Sequence, residues 1–81
     1  MPKSAFTKAY ESFRNILIEA RKSAGLSQTE LSSRLSRPQS FVSKYERGER
    51  RLDVIEFLEV AKAIGKDPQM LLRQISKRSS Q

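Results

Sequence analysis

Cysteine and histidine are both missing from this chain of 81 residues. Without cysteine there is no disulfide framework, no thiolate metal site and no cysteine nucleophile. Without histidine, a Ser-His-Asp triad and histidine-ligated zinc are excluded as well. A glycine-rich phosphate loop is also lacking. The sequence therefore predicts that the protein is not an enzyme and holds no metal and no cofactor.

Long hydrophobic runs are missing too. No stretch approaches the roughly 20 apolar residues that span a bilayer, and the first residues lack the apolar core of a secretion signal. The first predicted helix is amphipathic, but it carries Glu11 and Glu19 and needs its apolar face for the core, so a membrane-surface role is disfavoured. We expect a soluble, cytoplasmic protein with no membrane partner.

Positive charge is what the chain has in excess. Sixteen Lys and Arg residues stand against nine Asp and Glu residues, which gives a net charge of +7. Residues 34–51 hold six basic and two acidic side chains, whereas residues 52–69 hold two basic and four acidic ones. One basic side predicts an anionic partner, either a nucleic acid or an acidic surface.

Apolar residues recur at helical spacing, and no segment alternates as a strand would. A chain of this length allows one small domain. We predict five short helices in a single domain over residues 1–75, and a polar tail over residues 76–81 that frays. The first predicted helix begins between residues 4 and 7 and ends at residue 24, and the third begins at residue 38 or 39 and ends at residue 47. The other three cover about residues 28–35, 54–64 and 68–75. The predicted apolar stripes are Phe6, Tyr10, Phe13, Leu17 and either Ala20 or Ala24 in the first helix, and Val54, Phe57, Val60, Ala61 and Ile64 in the fourth.

Capping signals define several of these boundaries. Ser27 and Glu30 have the spacing of a capping box before the second helix, and Asp53 and Glu56 repeat it before the fourth. Gly25 stands where the first helix needs a left-handed stop.

Residues 28–47 have the pattern of a helix-turn-helix, in which two helices cross at a wide angle around a short turn. The predicted core positions are Leu31 and Leu35 on one helix and Val42 and Tyr45 on the next, with the small Ser32 at the crossing. If these side chains point inward, Gln39, Ser40, Ser43 and Lys44 point outward. A polar, uncluttered helix face of this kind suits the major groove of DNA.

These segments resemble a known family. The strings GLSQTEL over residues 25–31 and QSFVSKYERG over residues 39–48 are similar to the phage repressor/Cro family of helix-turn-helix proteins, also called the Xre family. Residues 57–65 are similar to its fourth helix, and the resemblance covers roughly residues 12–75. It implies a compact, all-α, five-helix lambda-repressor-like domain, with the motif at the second and third helices, in a protein encoded by a bacterium or a phage.

Two positions depart from the family pattern. Ser36 stands where the turn usually has glycine, and Pro38 stands where the following helix usually has a Ser or Thr cap. A left-handed Ser36 would cost on the order of 1 kcal/mol, unless the turn differs slightly.

The resemblance also implies roles for individual residues. The base-reading residues would be Gln39, Ser40, Ser43 and Lys44. The phosphate-binding residues would be Ser27, Gln28, Arg37, Arg47, Arg50 and Arg51. Gln28 is further expected to brace Gln39, and Phe41 to touch a thymine methyl or a sugar edge. Arg21 and Glu46 are expected to form a structural ion pair.

The function that these observations predict is sequence-specific binding of double-stranded DNA by a homodimeric transcription regulator, of the repressor or restriction–modification controller type, on a palindromic operator. The alternative is an antitoxin-like protein that binds a partner protein as well as its own operator. No small-molecule ligand is indicated. Leu58, Leu72 and Ile75 are the predicted dimer interface, and the alternative for them is completion of the monomer core.

Overall fold

The computed structural model describes residues 7–79, and these form five α-helices with no strand. The helices are α1 Lys8–Ser23, α2 Gln28–Arg34, α3 Gln39–Glu46, α4 Val54–Ile64 and α5 Pro68–Ser79. The predicted all-α, five-helix class is confirmed. The polar tail predicted over residues 76–81 differs at its start, because α5 continues helically to residue 79; Phe6 and residues 80–81 lie outside the described residues.

Polar side chains cap most of the helix starts. The Thr7 hydroxyl accepts from the Tyr10 amide at 3.1 Å before α1, and both predicted capping boxes, before α2 and before α4, are formed. The Asp67 carboxylate accepts from the Gln69 amide at 3.0 Å before α5. At α3 the cap position is Pro38, which offers no side-chain hydrogen bond. The first turn of α3 is therefore stabilised by contacts other than a capping hydrogen bond.

The turn between α2 and α3 places Ser36 in the left-handed region, with a φ of 55°. Among residues 7–79, no other non-glycine residue has a positive φ. The turn closes with hydrogen bonds from the Ser36 amide to the Ser33 carbonyl at 3.0 Å and from the Arg37 amide to the Ser32 carbonyl at 3.0 Å. The sequence left open whether Ser36 is left-handed or the turn differs slightly, and the structure contains the left-handed serine.

The core draws side chains from all five helices. Its buried apolar members, besides Tyr10, are Ile16, Leu17, Ala20, Leu26, Leu31, Phe41, Val42, Tyr45, Phe57, Val60, Ala61, Ile64 and Leu71. Phe13, Leu35 and Ile75 are half-buried against it. None of the helices over residues 7–79 is long and apolar enough to cross a membrane.

Val54 was expected in the core stripe of α4, and this expectation is wrong. Its side chain is 71% exposed. Val54 is the first residue of α4, directly after the Asp53 cap, so it lies beyond the edge of the core although its spacing to Phe57 fits the stripe.

The packing leaves one side of α3 uncovered. α2 packs against α3 across the short turn, α1 packs against α3 and α5, and α4 packs against α2 and α5. Ser32, buried at the α2–α3 crossing, donates its hydroxyl to the Gln39 carbonyl at 3.3 Å. The small residue predicted at this position thus lets the helices approach closely and bonds to the start of α3.

Candidate nucleic-acid interface

The third helix has one buried and one open face. Its buried residues are Phe41, Val42, Tyr45 and Glu46. The four residues predicted to point outward do so: Gln39, Ser40 and Lys44 are exposed and Ser43 is half-buried. Within residues 7–79, the side chains of Gln39 and Lys44 have no hydrogen bond and no ion pair. This face of α3 is therefore free to contact a ligand.

Glu46, at the end of α3, accepts hydrogen bonds from several buried donors. Arg21 on α1 donates Nε to Oε2 at 2.7 Å and Nη2 to Oε1 at 3.1 Å. The third arm of the same guanidinium, Nη1, donates to the Leu26 carbonyl at 2.7 Å, and Arg14 donates to the Glu46 carbonyl at 2.7 Å. Because Arg21 and Glu46 are paired and hydrogen-bonded, the arrangement ties α1 to α3 and leaves neither of these two buried charges unpaired.

The Gln28 amide belongs to the same arrangement. Its Nε2 donates to Glu46 Oε1 at 2.7 Å, so the expectation that Gln28 braces Gln39 is wrong: the partner is the carboxylate at the other end of α3. Glu46 is the stronger acceptor because it is charged. The Gln28 side chain remains half-buried at the start of α2, and its position is fixed through Glu46.

Ser27 is occupied by the capping box. Its hydroxyl accepts from the Glu30 amide at 3.0 Å, and its own amide donates to the Glu30 carboxylate at 2.8 Å. The hydrogen bonds with the Ser27 amide and hydroxyl lower the pKa of Glu30. The Ser27 hydroxyl proton is not used by the capping box, so a phosphate contact from Ser27 remains a prediction.

Phe41 does not lie on the open face of α3, which corrects the expectation of a contact with thymine or sugar. The ring is 7% exposed and packs edge to face with Tyr45, with ring centroids 5.6 Å apart. Two guanidinium groups cover it: the Cζ atoms of Arg37 and Arg50 lie 4.5 Å and 4.9 Å from the ring centroid. A ring covered in this way cannot reach a base.

Arg50 is engaged inside the protein. Its Nη2 and Nη1 donate to the two carboxylate oxygens of Glu56 at 2.6 Å and 3.0 Å, and Nη1 also donates to the Arg51 carbonyl at 2.8 Å. The hydrogen bond from Arg50, followed by that from the Asp53 amide, lowers the pKa of Glu56 to about 2. Arg37 lies 3.7 Å from Glu56 and 3.6 Å from Glu59.

The other two predicted phosphate-binding arginines, Arg47 and Arg51, differ in the contacts that they make within the protein. Arg47 pairs with Glu49 in an exposed contact of 2.8 Å, which raises the pKa of Arg47 and lowers that of Glu49. Arg51 is exposed and places its Cζ 4.7 Å from the centroid of the Tyr10 ring, with no ion pair inside residues 7–79. Arg51 is therefore better placed than Arg50 to reach a phosphate.

A second surface is an apolar groove of about 420 Å³ between α1, α4 and α5. The structure brings all three predicted interface residues into its lining, together with Val54. Leu58 is 42% exposed and Leu72 is 51% exposed, while Ile75 is half-buried against the core. We call these four residues the α4–α5 patch.

Glu56 is the residue whose long-range contacts sequence reasoning missed. Its spacing from Asp53 revealed the capping box, but nothing local indicated that the same carboxylate also meets Arg50 and Arg37. For Phe41, a signal was available: it lies four residues before the core residue Tyr45, and residues at this spacing share one helix face.

The profile of the helix-turn-helix family matches residues 17–71, which is most of the chain and includes α2, α3 and the loop after α3. The chain therefore belongs to the helix-turn-helix family, in the Xre group of DNA-binding transcription regulators. The resemblance found in the sequence is thus confirmed.

Two solved structures are similar to this chain. An XRE-family like protein from Pseudomonas syringae pv. tomato str. DC3000 has 52% sequence identity and a TM-score of 0.82, over 85% of this chain and 84% of that chain. The restriction–modification controller protein C.AhdI from Aeromonas hydrophila has 34% identity and a TM-score of 0.67, over 73% of this chain and 86% of that chain. Among curated proteins no match is found.

Proposed function

We propose that this protein binds a palindromic DNA operator as a homodimer and regulates transcription as a repressor or as a restriction–modification controller. The observation that carries the proposal is the open face of α3, where Gln39, Ser40 and Lys44 are exposed and where the side chains of Gln39 and Lys44 make no hydrogen bond within residues 7–79. Similarity to a restriction–modification controller supports that type of regulator.

The open face has the chemistry that base recognition needs. The major groove admits one α-helix, in which a glutamine can bond adenine N6 and N7 together and a lysine suits guanine O6 or N7. Gln39 and Lys44 are five residues apart, so their Cα atoms are separated by about 7.5 Å along the helix axis. Gln39, Ser40, Ser43 and Lys44 would therefore read neighbouring base pairs of one half-site.

The phosphate contacts would lie on both sides of α3. On one side, Ser27 and Gln28 stand at the start of α2, with Gln28 held in place by Glu46. On the other side, Arg51 has no ion pair within residues 7–79, and Arg47 could exchange its exposed partner Glu49 for a phosphate. Arg37 and Arg50 are held by acidic partners, so we assign them a smaller direct share of phosphate binding.

Two arguments support the homodimer: the number of base pairs that one recognition helix can read, and the exposed apolar surface on α4 and α5. One recognition helix covers only a few base pairs, whereas two copies related by a two-fold axis read half-sites about one helical turn apart, ~34 Å. The α4–α5 patch exposes apolar side chains in a groove that involves no residue of the open α3 face, although Arg51 also lines this groove. Covering it with a second copy would leave both α3 faces free.

The experiment that tests this function compares a predicted base reader with a predicted phosphate anchor. An operator is first selected by the wild-type protein from a random duplex library. Gln39→Ala should weaken operator binding by ~1–3 kcal/mol and relax the preference at one base pair of each half-site. Arg51→Ala should weaken operator and random duplex alike.

Fluorescence anisotropy on both duplexes measures these effects. If the two variants lose affinity in the same proportion on both duplexes, the division into reader and anchor is wrong. If the wild-type protein selects no preferred sequence, sequence-specific binding itself is wrong.

A further inference from the structure

Phe41, Arg37, Arg50 and Glu56 form one compact unit, which we call the Phe41 cluster. The ring of Phe41 has the Arg37 guanidinium 4.5 Å and the Arg50 guanidinium 4.9 Å from its centroid. Two cations on one ring repel each other unless an anion compensates. Glu56 supplies that anion, bonding Arg50 at 2.6 Å and lying 3.7 Å from Arg37.

The members of the cluster depend on one another. Cation–π attraction strengthens when the groups are removed from water, and the ring is buried while the Glu56 side chain is only 12% exposed. Glu56 in turn is oriented by the Asp53 amide, which donates to its Oε1 at 3.0 Å. Removing either the ring or the carboxylate therefore loosens both guanidinium groups.

The cluster connects four segments at the base-reading end of α3. Arg37 belongs to the turn before α3, Phe41 to its first turn, Arg50 to the loop after it and Glu56 to the first turn of α4. This end of α3 has no side-chain cap, because the cap position is Pro38. The Phe41 cluster therefore holds the helix end that carries Gln39 and Ser40.

We propose that the Phe41 cluster sets the angle of the first turn of α3 and thereby determines how sharply Gln39 discriminates between bases. Phe41 and Glu56 are then positioning residues for specificity, although neither touches DNA. The inference rests on the proposed function, since it requires that Gln39 read a base. It differs from a role in stability alone, which would change the melting temperature and leave discrimination intact.

The test uses the full chain, the operator selected by the wild-type protein, and the same duplex with the base pair assigned to Gln39 replaced. The measured quantity is the ratio of the two affinities. Glu56→Gln keeps an acceptor for the Asp53 amide, because glutamine also completes a capping box. It removes the charge that holds Arg50 and one of the two carboxylates beside Arg37, the other being that of Glu59. Phe41→Leu keeps an apolar side chain and removes the aromatic face.

We expect each variant to lower the discrimination ratio about three- to tenfold, the size of a partly desolvated cation–π contact converted to an equilibrium ratio. Glu19→Gln is the matched control, because it makes the same charge change and releases Arg78 from an exposed pair of 3.0 Å. The control should raise affinity for both duplexes equally and leave the ratio unchanged.

Two outcomes would overturn the inference. One is a lower melting temperature for both variants with a wild-type ratio, which makes the cluster purely structural. The other is an equal loss of discrimination in the Glu19→Gln control, which makes charge alone responsible. If Phe41→Leu does not fold, the discrimination ratio of Glu56→Gln alone decides between a positioning role and a purely structural one. A wild-type protein without any base preference contradicts the proposed function, and this is read from the wild type before any variant is compared.

Discussion

At the scale of the residue, Ser36 has a backbone conformation that its residue type disfavours. It holds the turn of the motif at a φ of 55°, a region that costs an L-residue roughly 1–2 kcal/mol relative to glycine. The conformation persists because the neighbouring amides of Ser36 and Arg37 bond back to α2. The strain is therefore imposed by the angle between the two helices of the motif.

Ser36→Gly should relieve this strain. Glycine loses more backbone entropy on folding, which offsets part of the gain, so we expect a net stabilisation of about 0.5–1 kcal/mol. Urea unfolding at equilibrium measures it. Gly25→Ser is the converse control: Gly25 has a φ of 75° with nothing within 4 Å of an added Cβ, so its loss of stability reports the backbone term alone. A destabilised Ser36→Gly protein would contradict the assignment of strain.

Single residues also show what could be foreseen from sequence. The pairing of Arg21 with Glu46 was expected from the family resemblance, and the structure contains it at 2.7 Å. The partner of Gln28 was expected wrongly because Gln39 and Glu46 stand at opposite ends of α3, and the sequence does not say which end approaches α2. Such contacts depend on the crossing angle of two helices, which is a tertiary property.

At the scale of the element, helix boundaries were predictable because capping is local. The two capping boxes and the glycine after α1 lie within a few residues of the helices that they bound. The end of α5 was not predictable in this way. Its last turn is polar, but Arg78 reaches Glu19 on α1 at 3.0 Å, a contact 59 residues apart in sequence.

The first turn of α4 should make stability depend on acid pH. The pKa of Glu56 falls from an ordinary 4.5 to about 2 in the folded protein, first because of the hydrogen bond from Arg50. A carboxylate with a lowered folded-state pKa contributes stability that is fully present above the unfolded pKa, and this is lost as pH falls through the folded pKa. We therefore expect the melting temperature to decline between pH 4.5 and about 2.

Thermal unfolding followed by circular dichroism from pH 5 downward measures this decline. Glu56→Gln should be less stable than the wild type at neutral pH and should lose less stability through the same window. Glu30 and Glu49 also have lowered pKa values, so the variant's profile should be flatter than that of the wild type but not flat. Parallel profiles for the two proteins would show that Glu56 does not carry this dependence.

At the scale of the whole molecule, the basic excess and the α4–α5 patch lie on different helices, although Arg51 of the basic segment also lines the apolar groove. The basic excess lies over residues 34–51, around α3 and the loop after it, within a net charge of +7. The α4–α5 patch lies on other helices. The sequence foretold the helix count and the basic side, since periodicity and charge are properties of segments, but it did not foretell that Val54 would leave the core for the patch.

Because several Lys and Arg side chains would replace counterions on the phosphates, DNA affinity should fall steeply with salt. We expect a slope of about −3 to −8 in a plot of log affinity against log salt for a dimer. Arg51→Ala should reduce the slope of the dimer by about 2, one phosphate contact for each protomer, whereas Gln39→Ala should leave it unchanged. Anisotropy titrations at several salt concentrations give the slopes. A wild-type slope near zero would defeat the DNA-binding proposal.

The dimer prediction concerns the α4–α5 patch. Leu72 is 51% exposed beside Leu58, and both line the groove of about 420 Å³. Apolar surface of this kind favours burial by a partner surface, and an interface of this limited extent predicts dissociation in the micromolar range. Sedimentation velocity of the wild type should therefore show a monomer–dimer equilibrium. Leu72→Glu, which places a charge in the groove, should shift it to monomer.

Gln74→Glu is the matched control for this change. It introduces the same charge at an exposed position two residues away on α5, facing the cleft between α1 and α5 that Lys66 and Arg78 also line. It should dimerise as the wild type does. Leu72→Glu should also weaken binding to the full palindrome more than to a single half-site, because a monomer brings only one recognition helix to the DNA. A wild type that stays monomeric at hundreds of micromolar and binds the palindrome without cooperativity would assign Leu58, Leu72 and Ile75 to the monomer fold alone.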